Sequence, residues 1–351
     1  MALNEAKLHE FVGKMVGDMG AAAVAPLVML GDRLGIYKAL AKSGPMSTDE
    51  LAKATGLKER YLREWCSAQA GSSYINYAPD TGKFSMSPEQ KAVFADPDSP
   101  VSMTGGFYAI AAMFHDEPTL AEAFQSGEGV SWGDHHPCLF CGTEKFFRPG
   151  YMANLVNEWL PSLDGVVDKL KQGAKVADVG CGHGVSTMVM AKAFPKSQFI
   201  GFDFHGASID RARLLAKEDG VSNVKFEVAA AKNFPGKDYD LVAFFDCLHD
   251  MGDPAGAAAY THQALKPDGT MLVVEPMAGD SLEENLNPVG RMYYCFSTMV
   301  CTPASLSQEV GLALGAQAGE KRLAEVIKSG GFSKVRRASE TPFNMILEAR
   351  P

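Results

Sequence analysis

Residues 176–184 read VADVGCGHG, a short apolar run that passes directly into three glycines spaced one residue apart. The run Val176–Val179 has the composition of a buried strand, and a helical pattern starts at Ser186. Glycines are needed where the backbone must turn tightly and approach a ligand closely. An ordinary strand-to-helix turn is the alternative, so the surrounding pattern has to decide between the two. Val185 stands where a dinucleotide-binding loop has its third glycine, which disfavours a dehydrogenase.

The next predicted strand after the loop ends on an acidic residue. This strand covers Phe199–Phe204, and Asp203 lies 19 residues after Gly184. A carboxylate at the carboxyl end of the second strand can accept hydrogen bonds from both hydroxyls of a ribose. The loop and the acid together therefore favour a ligand site over an ordinary turn.

Strand-like and helical runs alternate from Lys175 onward. Such alternation predicts an α/β fold, with a parallel sheet covered by helices on both faces. The predicted strands are Val176–Val179, Phe199–Phe204, Val224–Val228, Leu241–Phe245 and Met271–Val274; the helices between them are Ser186–Ala193, Ser208–Glu218 and Ala255–Leu265; and the ending is a helix, Glu320–Gly331, with two strands, Val335–Ser339 and Phe343–Ala349.

Over about residues 160–351 the chain resembles the class I methyltransferases that use S-adenosylmethionine. The D-x-G-x-G-x-G loop that starts at Asp178 matches the first motif of that family, and Asp203 matches its ribose ligand. The late helix–strand–strand ending agrees as well. The resemblance implies a Rossmann-like sheet with strand order 3-2-1-4-5-7-6 and S-adenosylmethionine as cofactor.

The resemblance also implies which residues surround the cofactor. Family members use the glycine loop for the methionine and ribose parts and the residues after the second and third strands for the adenine. Ala230 stands where many members carry Asp or Asn, so the contact to the adenine amino group would fall to the backbone, Lys232 or Asn233. The implied cofactor-binding residues are Asp178, Gly180, Cys181, Gly182, Gly184, Asp203, Phe204, Ala230, Ala231, Lys232 and Phe245.

The segment Leu248-His249-Asp250, just past the fourth strand, is similar to the matching stretch of plant-type small-molecule O-methyltransferases. A histidine at this edge of the sheet can take up a proton near pH 7, because its unperturbed pKa is about 6.5. In that family the histidine is the general base and the carboxylate that closes the fifth strand orients it, a position that Glu275 matches. A packing or capping histidine is the alternative interpretation. The family's second orienting carboxylate has no clear match, and Glu320 is the nearest acidic residue.

The first hundred residues have the order helix, turn, helix, hairpin, which is typical of a winged helix. The nine basic residues over positions 20–100 are balanced by nine acidic ones, so the excess of positive charge that DNA binding needs is missing. In the plant-type enzymes the same module forms dimers and closes the substrate pocket. The predicted elements are helices over residues 5–18, Ala22–Leu40 and Lys58–Ala70, a further helix capped by Ser47-Thr48-Asp49-Glu50, and a hairpin of Tyr74–Tyr77 and Lys83–Met86.

Three segments are expected along the chain. Residues 1–98 form a winged-helix dimerisation domain, residues 99–160 a helical connector and pocket lid, and residues 161–351 the cofactor-binding domain. Residues 134–141, within the connector, read DHHPCLFC. Cysteine and histidine are zinc ligands, but one C-x-x-C pair with adjacent histidines favours an ordered loop over the cofactor pocket, and no metal is expected.

Composition and charge limit the possible partners. The net charge of −9 over 351 residues disfavours a nucleic-acid binder, because neutralising phosphates needs clustered Lys and Arg. The odd count of seven cysteines, without a secretion signal, favours reduced thiols. The longest apolar run, Ala21–Leu30, is too short to span a bilayer, so a cytoplasmic protein without membrane contact is expected.

These observations converge on one expectation. The chain is expected to be a homodimeric methyltransferase that acts on the oxygen of a small apolar or aromatic hydroxyl compound, with His249 as general base. Nitrogen or carbon acceptors remain open with the same cofactor fold. The alternative from another class is a transcriptional regulator that binds DNA through the winged helix and senses S-adenosylmethionine.

Overall fold

The computed structural model describes residues 3–351, and the chain divides into two compact units. The first unit comprises the residues up to Ala112 together with Cys141–Pro149. The second unit comprises Met113–Phe140 and Gly150–Pro351. The loop with the DHHPCLF sequence therefore belongs to the same unit as the glycine loop.

The first unit is helical with one small antiparallel hairpin, which confirms the winged-helix order. The predicted capping box at Ser47 is present: Ser47 Oγ accepts the Glu50 N–H, and Glu50 Oε2 accepts the Ser47 N–H at 2.7 Å. A buried hydrogen bond of 2.6 Å from Tyr37 Oη to Gln69 Oε1 ties two of the helices together in the core. The elements are α1 (Glu5–Arg33), α2 (Ile36–Ser43), α3 (Thr48–Thr55), α4 (Glu59–Gly71), β1 (Asn76–Ala78), β2 (Lys83–Ser85) and α5 (Pro88–Phe94).

The prediction of separate helices over residues 5–18 and 22–40 is wrong. One helix, α1, runs through Pro26 without ending, and the break comes at Gly35, whose φ is 68°. A proline removes one backbone hydrogen bond of a helix, whereas a residue with left-handed backbone reverses the chain direction. The two helices are therefore separated at Gly35, whose left-handed backbone conformation favours glycine.

Helix α1 is long and apolar enough, by length and composition alone, to cross a membrane. Its most apolar window has a mean hydropathy of 1.3, and 17% of that window is buried. A single helix of this kind near the N-terminus is weak evidence, since core helices and signal sequences meet the same criteria. The expectation of no membrane contact rested on the uninterrupted run Ala21–Leu30, and the helix extends beyond that run on both sides.

The second unit is built on one seven-stranded sheet. Its strand order is β5-β4-β3-β6-β7-β9-β8, with all neighbours parallel except at β9, and this confirms the predicted order 3-2-1-4-5-7-6. The strands are β3 (Lys175–Val179), β4 (Gln198–Asp203), β5 (Val224–Val228), β6 (Tyr239–Phe245), β7 (Leu265–Pro276), β8 (Lys334–Glu340) and β9 (Asn344–Arg350).

Helices cover both faces of this sheet. Helix α6 begins in the first unit and continues into the second, and α7 passes from the second into the first. The remaining helical bounds are α6 (Thr104–Ser126), α7 (Cys138–Gly150), α8 (Val166–Gln172), α9 (Val185–Ala193), α10 (Gly206–Glu218), α11 (Pro254–Ala264), α12 (Leu282–Asn285), α13 (Pro288–Phe296), α14 (Thr302–Leu306) and α15 (Gly319–Ser329), with short 3₁₀ or π turns at Trp132–Asp134, Tyr151–Trp159, Leu160–Ser162, Leu248–Asp250 and Ser297–Cys301.

The burial pattern of the central strands explains their near-continuous apolar sequence. Every residue of β6 is buried, as expected for a parallel strand with helices on both faces. Because β3, β4, β6 and β7 are parallel, their carboxyl ends meet at one edge of the sheet. The glycine loop, Asp203, His249 and Glu275 all follow or close these strands, so the fold brings them to the same edge.

Candidate active site

The three loop positions require glycine for different structural reasons. All have positive φ values: 74° at Gly180, 53° at Gly182 and 76° at Gly184. A Cβ at Gly180 would lie 2.7 Å from Cys247 Sγ, and one at Gly184 would lie 2.4 Å from the Phe226 ring. A Cβ at Gly182 would meet nothing within 4 Å. Gly180 and Gly184 therefore close-pack the loop, and Gly182 is the glycine that borders open space.

Asp203 lies at the end of β4 with both carboxylate oxygens held by backbone amides. Oδ2 accepts the Gly182 N–H at 2.9 Å, and Oδ1 accepts the His205 N–H at 2.8 Å. Burial raises the pKa of this carboxyl, although the two backbone hydrogen bonds oppose that shift. Each oxygen keeps a further acceptor position, since a carboxylate can accept about four hydrogen bonds. The group is thus fixed beside the loop and can still accept from a ligand.

Asp178 is hydrogen-bonded within the protein through one carboxylate oxygen, and its predicted place among the cofactor-binding residues stays a prediction. The residue is fully buried, and its Oδ2 accepts the hydroxyls of Ser186 at 2.7 Å and Thr187 at 2.6 Å. Burial raises its pKa to about 6. These bonds fasten the start of α9 to the end of β3, so Asp178 supports the loop from beneath.

Of the side chains predicted to lie near the adenine, some are exposed to solvent and one is paired with other side chains. Phe204 is half-exposed and Ala230 is exposed, so both can border a ligand, and Ala231 is partly exposed. Lys232 is engaged elsewhere, because its Nζ lies 3.0 Å from Asp253 and 3.2 Å from Glu309. Of the three groups proposed for the contact to the adenine amino group, Lys232 is thus paired with two carboxylates, and the backbone and Asn233 remain as the other candidates.

The side chains of Cys181 and Phe245 pack against neighbouring residues and offer an apolar surface rather than polar contacts. Both are buried; the Cys181 thiol points towards Gly201 on β4, and the Phe245 ring packs 5.4 Å from the ring of Tyr151. The Cys181 backbone N–H donates to the Phe202 carbonyl at 3.0 Å. Direct contact of these two residues with a cofactor stays a prediction.

His249 and Glu275 form a buried pair where β6 and β7 end. The side chains of His249 and Glu275 are 4% and 1% exposed, and His249 Nδ1 is hydrogen-bonded to Glu275 Oε2. The other Glu275 oxygen accepts the Leu248 N–H at 3.0 Å. A carboxylate on Nδ1 fixes the tautomer and the ring orientation, leaving Nε2 for other chemistry. The structure thus brings together the two residues predicted for catalysis.

A second carboxylate faces the other nitrogen of the same ring. Asp250 Oδ1 lies 3.1 Å from His249 Nε2. Burial alone would lower the pKa of His249, but the nearby Asp250 and Glu275 together raise it well above its ordinary value. Glu320 does not take this place, because its carboxylate is hydrogen-bonded to Arg337 Nε at 2.8 Å. Asp250, the next residue in sequence, is the second carboxylate that contacts this ring, and its match to the family's second orienting carboxylate is untested.

Asp246 is a further buried acid that the sequence prediction missed. It closes β6 with a positive φ of 50°, and its carboxylate accepts from Tyr151 Oη at 2.9 Å and Asn344 Nδ2 at 2.7 Å. Burial and the neighbouring Glu275 raise its pKa to about 8. A carboxylate directly after an apolar strand was the available signal, since such positions face the ligand edge of an α/β sheet.

The DHHPCLFC segment is only in part a loop, because Cys138–Cys141 form the first turn of α7. Its histidines are engaged within the protein: His135 Nδ1 is 2.9 Å from Asp116, and His136 Nδ1 accepts the Cys138 N–H at 3.2 Å. The ring of Phe140 lies 5.1 Å from the ring of His205, which follows Asp203 by two residues. Phe140 therefore lies close to the carboxyl end of β4.

Comparison with known proteins agrees with this geometry. A family described as a methyltransferase domain matches residues 170–331, and a Rv2258c-like winged HTH domain matches residues 22–95. A putative O-methyltransferase from Nostoc punctiforme is similar in structure, with a TM-score of 0.72 and 18% identity over 100% of both chains. Human N-acetylserotonin methyltransferase, solved in complex with SAM, has a TM-score of 0.67 and 17% identity over 100% of this chain and 99% of its own. At these identities the likeness shows the fold.

Sequence similarity to curated proteins covers a shorter region. The ubiquinone biosynthesis O-methyltransferase of Leptothrix cholodnii is 32% identical over 130 residues, which is 36% of this chain and 53% of that protein. The chain thus spans about half the length of the curated relatives it matches. The fold, the glycine loop with its acidic partner and both domain matches agree, and this chain joins a methyltransferase domain of the class I fold to an N-terminal winged helix-turn-helix domain.

Proposed function

We propose that this protein transfers the methyl group of S-adenosylmethionine to the oxygen of a small apolar or aromatic hydroxyl compound in the cytoplasm. The buried His249–Glu275 pair carries the proposal, because it lies at the same sheet edge as Asp203 and the glycine loop. A ring nitrogen beside a cofactor site is suited to removing the proton of a hydroxyl group. The O-methyltransferase names among the relatives support the choice of oxygen.

The cofactor fits the groups that border the loop. Asp203 would accept from the ribose hydroxyls, the backbone at Gly182 would approach the ligand, and the half-exposed Phe204 ring would pack on the adenine. The human relative solved with SAM supports the cofactor assignment. Asp178, Gly180 and Gly184 would act indirectly, since their contacts shape the loop.

The residues of this chain would contribute orientation and proton removal. The substrate hydroxyl would give its proton to His249 Nε2, and bound S-adenosylmethionine would supply the methyl group to the hydroxyl oxygen and be left as neutral S-adenosylhomocysteine. Glu275 keeps the ring oriented and stabilises the imidazolium that forms. Asp250 lies against Nε2 and is the main group that raises the pKa of His249. The substrate hydroxyl therefore has to replace this carboxylate, and the ring has to be neutral, before proton transfer.

The proposal is tested by ligand-dependent stabilisation followed by a transfer assay. S-adenosylhomocysteine at 100 times its Kd should stabilise the protein by about 2.7 kcal/mol, seen as a higher unfolding temperature, while NAD should cause no change. Labelled methyl transfer to a panel of phenolic and flavonoid-like acceptors should then give alkali-stable ether products. Stabilisation by NAD alone, or transfer only to amine acceptors, would contradict the proposal.

A regulator that binds DNA is the second candidate, and the winged HTH match favours it. The balance of nine basic and nine acidic residues over positions 20–100 opposes it, because it lacks a positive electrostatic footprint. Retarded migration of a DNA duplex at physiological salt, with and without S-adenosylmethionine, distinguishes the two candidates. Absence of a shift is expected.

We also propose that residues 1–98 serve as a homodimerisation domain and residues 99–160 as connector and lid. The support is α1, whose apolar side chains are exposed over several turns, namely Leu8, Phe11, Val12, Met15, Val16 and Met19. Light scattering should give twice the chain mass of 37.6 kDa, and Phe11→Asp with Val16→Asp should give the monomer. Association of the wild-type protein with detergent micelles or lipid vesicles instead would support a membrane role for α1.

A further inference from the structure

The ring nitrogen of His249 that faces away from Glu275 lies in a cluster of metal-ligand types. The His249 ring, the Asp250 carboxylate and the Cys301 thiol each offer one ligand atom, and these atoms all lie within 4.8 Å of one another. His249 and Cys301 are buried, and Asp250 is partly buried. Among residues 3–351 this is the one group of three or more such side chains that could hold an ion.

The hydrogen bonding of the cluster leaves a place for a positive charge. Glu275 occupies Nδ1, so Nε2 is the ring nitrogen that faces the Asp250 carboxylate, 3.1 Å away. Asp250 Oδ1 is a buried oxygen. A buried carboxylate oxygen this close to a ring nitrogen is stabilised by a proton or a cation between the two atoms.

We propose that His249, Asp250 and Cys301 bind a soft divalent cation, Zn²⁺ in particular, and that the bound ion holds the protein in an inactive state. Imidazole nitrogen, thiolate sulfur and carboxylate oxygen are the ligands that zinc takes, and three protein ligands leave a fourth position for water. The Glu275–His249 pair has the arrangement of a carboxylate that orients a zinc-bound histidine. On binding, the Cys301 thiol and a protonated Nε2 each lose a proton to solvent, and Nε2 then donates its lone pair to the metal.

The two segments that supply the ligands are fastened to each other. Ser305 Oγ donates to the Met251 carbonyl at 2.8 Å, and Gln308 Nε2 donates to the Asp250 carbonyl at 2.9 Å. Gln308 Oε1 in turn accepts the Gly252 N–H at 3.1 Å. These bonds hold the turn with Cys301 and α14 against the turn with His249 and Asp250, so the ligands are positioned before a metal arrives.

Inhibition follows because His249 Nε2 would serve both as the metal ligand and as the base in methyl transfer. The inference rests on the proposed function only in this consequence: Nε2 cannot accept a substrate proton while it binds a metal. The metal site itself stands on the geometry of the three side chains.

The test uses Co²⁺ as a spectroscopic probe for zinc, added to the full-length, reduced protein without oxygen. Wild-type protein should show the visible bands of four-coordinate Co²⁺ and the charge-transfer band of a thiolate–cobalt bond, and Zn²⁺ should displace both. Cys301→Ser should abolish the charge-transfer band, while Cys295→Ser, which changes an exposed cysteine, should retain it. Asp250→Asn should weaken Co²⁺ binding by about 100-fold or more. Replacing a residue that only hydrogen-bonds to a metal ligand already costs about 10- to 100-fold in affinity, and Asp250 is itself a proposed ligand.

Unfolding temperatures of the variants in the absence of metal show whether each one is folded. No thiolate–cobalt band in the wild type, or a band that persists in folded Cys301→Ser, would overturn the site. If methyl transfer occurs, added Zn²⁺ should stop it and a chelator should restore it; transfer that continues with the site filled would overturn inhibition. Metal binding is read without substrate, so its failure is distinguishable from failure of the proposed function.

Discussion

His249→Ala should lower kcat for methyl transfer by about 10²–10⁴-fold while S-adenosylhomocysteine still binds. The ring lies on the turn that follows β6, and Glu275, near the end of β7, fixes its orientation. Asp203, the proposed ribose ligand, is hydrogen-bonded to the Gly182 and His205 amides, at the end of a different strand. The measurement is single-turnover methyl transfer together with calorimetric binding of S-adenosylhomocysteine.

The alanine variant also leaves the buried Glu275 without its ring partner, and an unpaired buried charge costs stability. His249→Asn separates the two effects, because its amide can still donate to Glu275 but cannot act as a base. His262→Ala is the matched control, since that ring packs on Phe332 outside the site. Transfer at the wild-type rate in folded His249→Asn would remove His249 from catalysis.

Alternation of strands and helices was sufficient to predict a parallel sheet covered by helices. The order of its strands was predicted through the resemblance to the methyltransferase family. Asp203 was found from its place at the end of the strand after the loop, 19 residues beyond Gly184. The length of helix α1 was harder to predict. Pro26 and several glycines indicate an interruption within residues 5–33, but the helix continues through them and the chain turns at Gly35.

The surroundings of His249 were only partly predictable. Glu275 was predicted because it matches the carboxylate that closes the fifth strand in the plant-type O-methyltransferases, and the parallel register of β6 and β7 brings it to the same edge as His249. Cys301 lies 52 residues after His249 on a turn between α13 and α14, and no periodicity relates the two positions. Likewise, the sequence motif cannot show that Asp178 points into the core, since that depends on the hydroxyls of Ser186 and Thr187.

The second large effect is expected on the cofactor. Asp203→Ala should weaken S-adenosylhomocysteine binding by about 10²–10⁴-fold, because two hydrogen bonds to a charged acceptor contribute about 3–6 kcal/mol. Calorimetric titration measures the change. Asp210→Ala is the matched control, since Asp210 lies on the following helix, is exposed and pairs with Arg213. That variant should bind the ligand as the wild type does.

Loss of affinity in Asp203→Ala could also arise from a disordered loop, because Asp203 holds the Gly182 and His205 amides. A double-mutant cycle with the ligand separates these causes. An analogue of S-adenosylhomocysteine that lacks both ribose hydroxyls should bind the wild type more weakly, and replacing Asp203 should then weaken it little further. If the analogue loses as much affinity in the variant as the parent ligand does, Asp203 acts through the loop and the ribose contact is excluded. If the two losses do not add, the carboxylate and the hydroxyls are partners, which fixes the ribose at the end of β4.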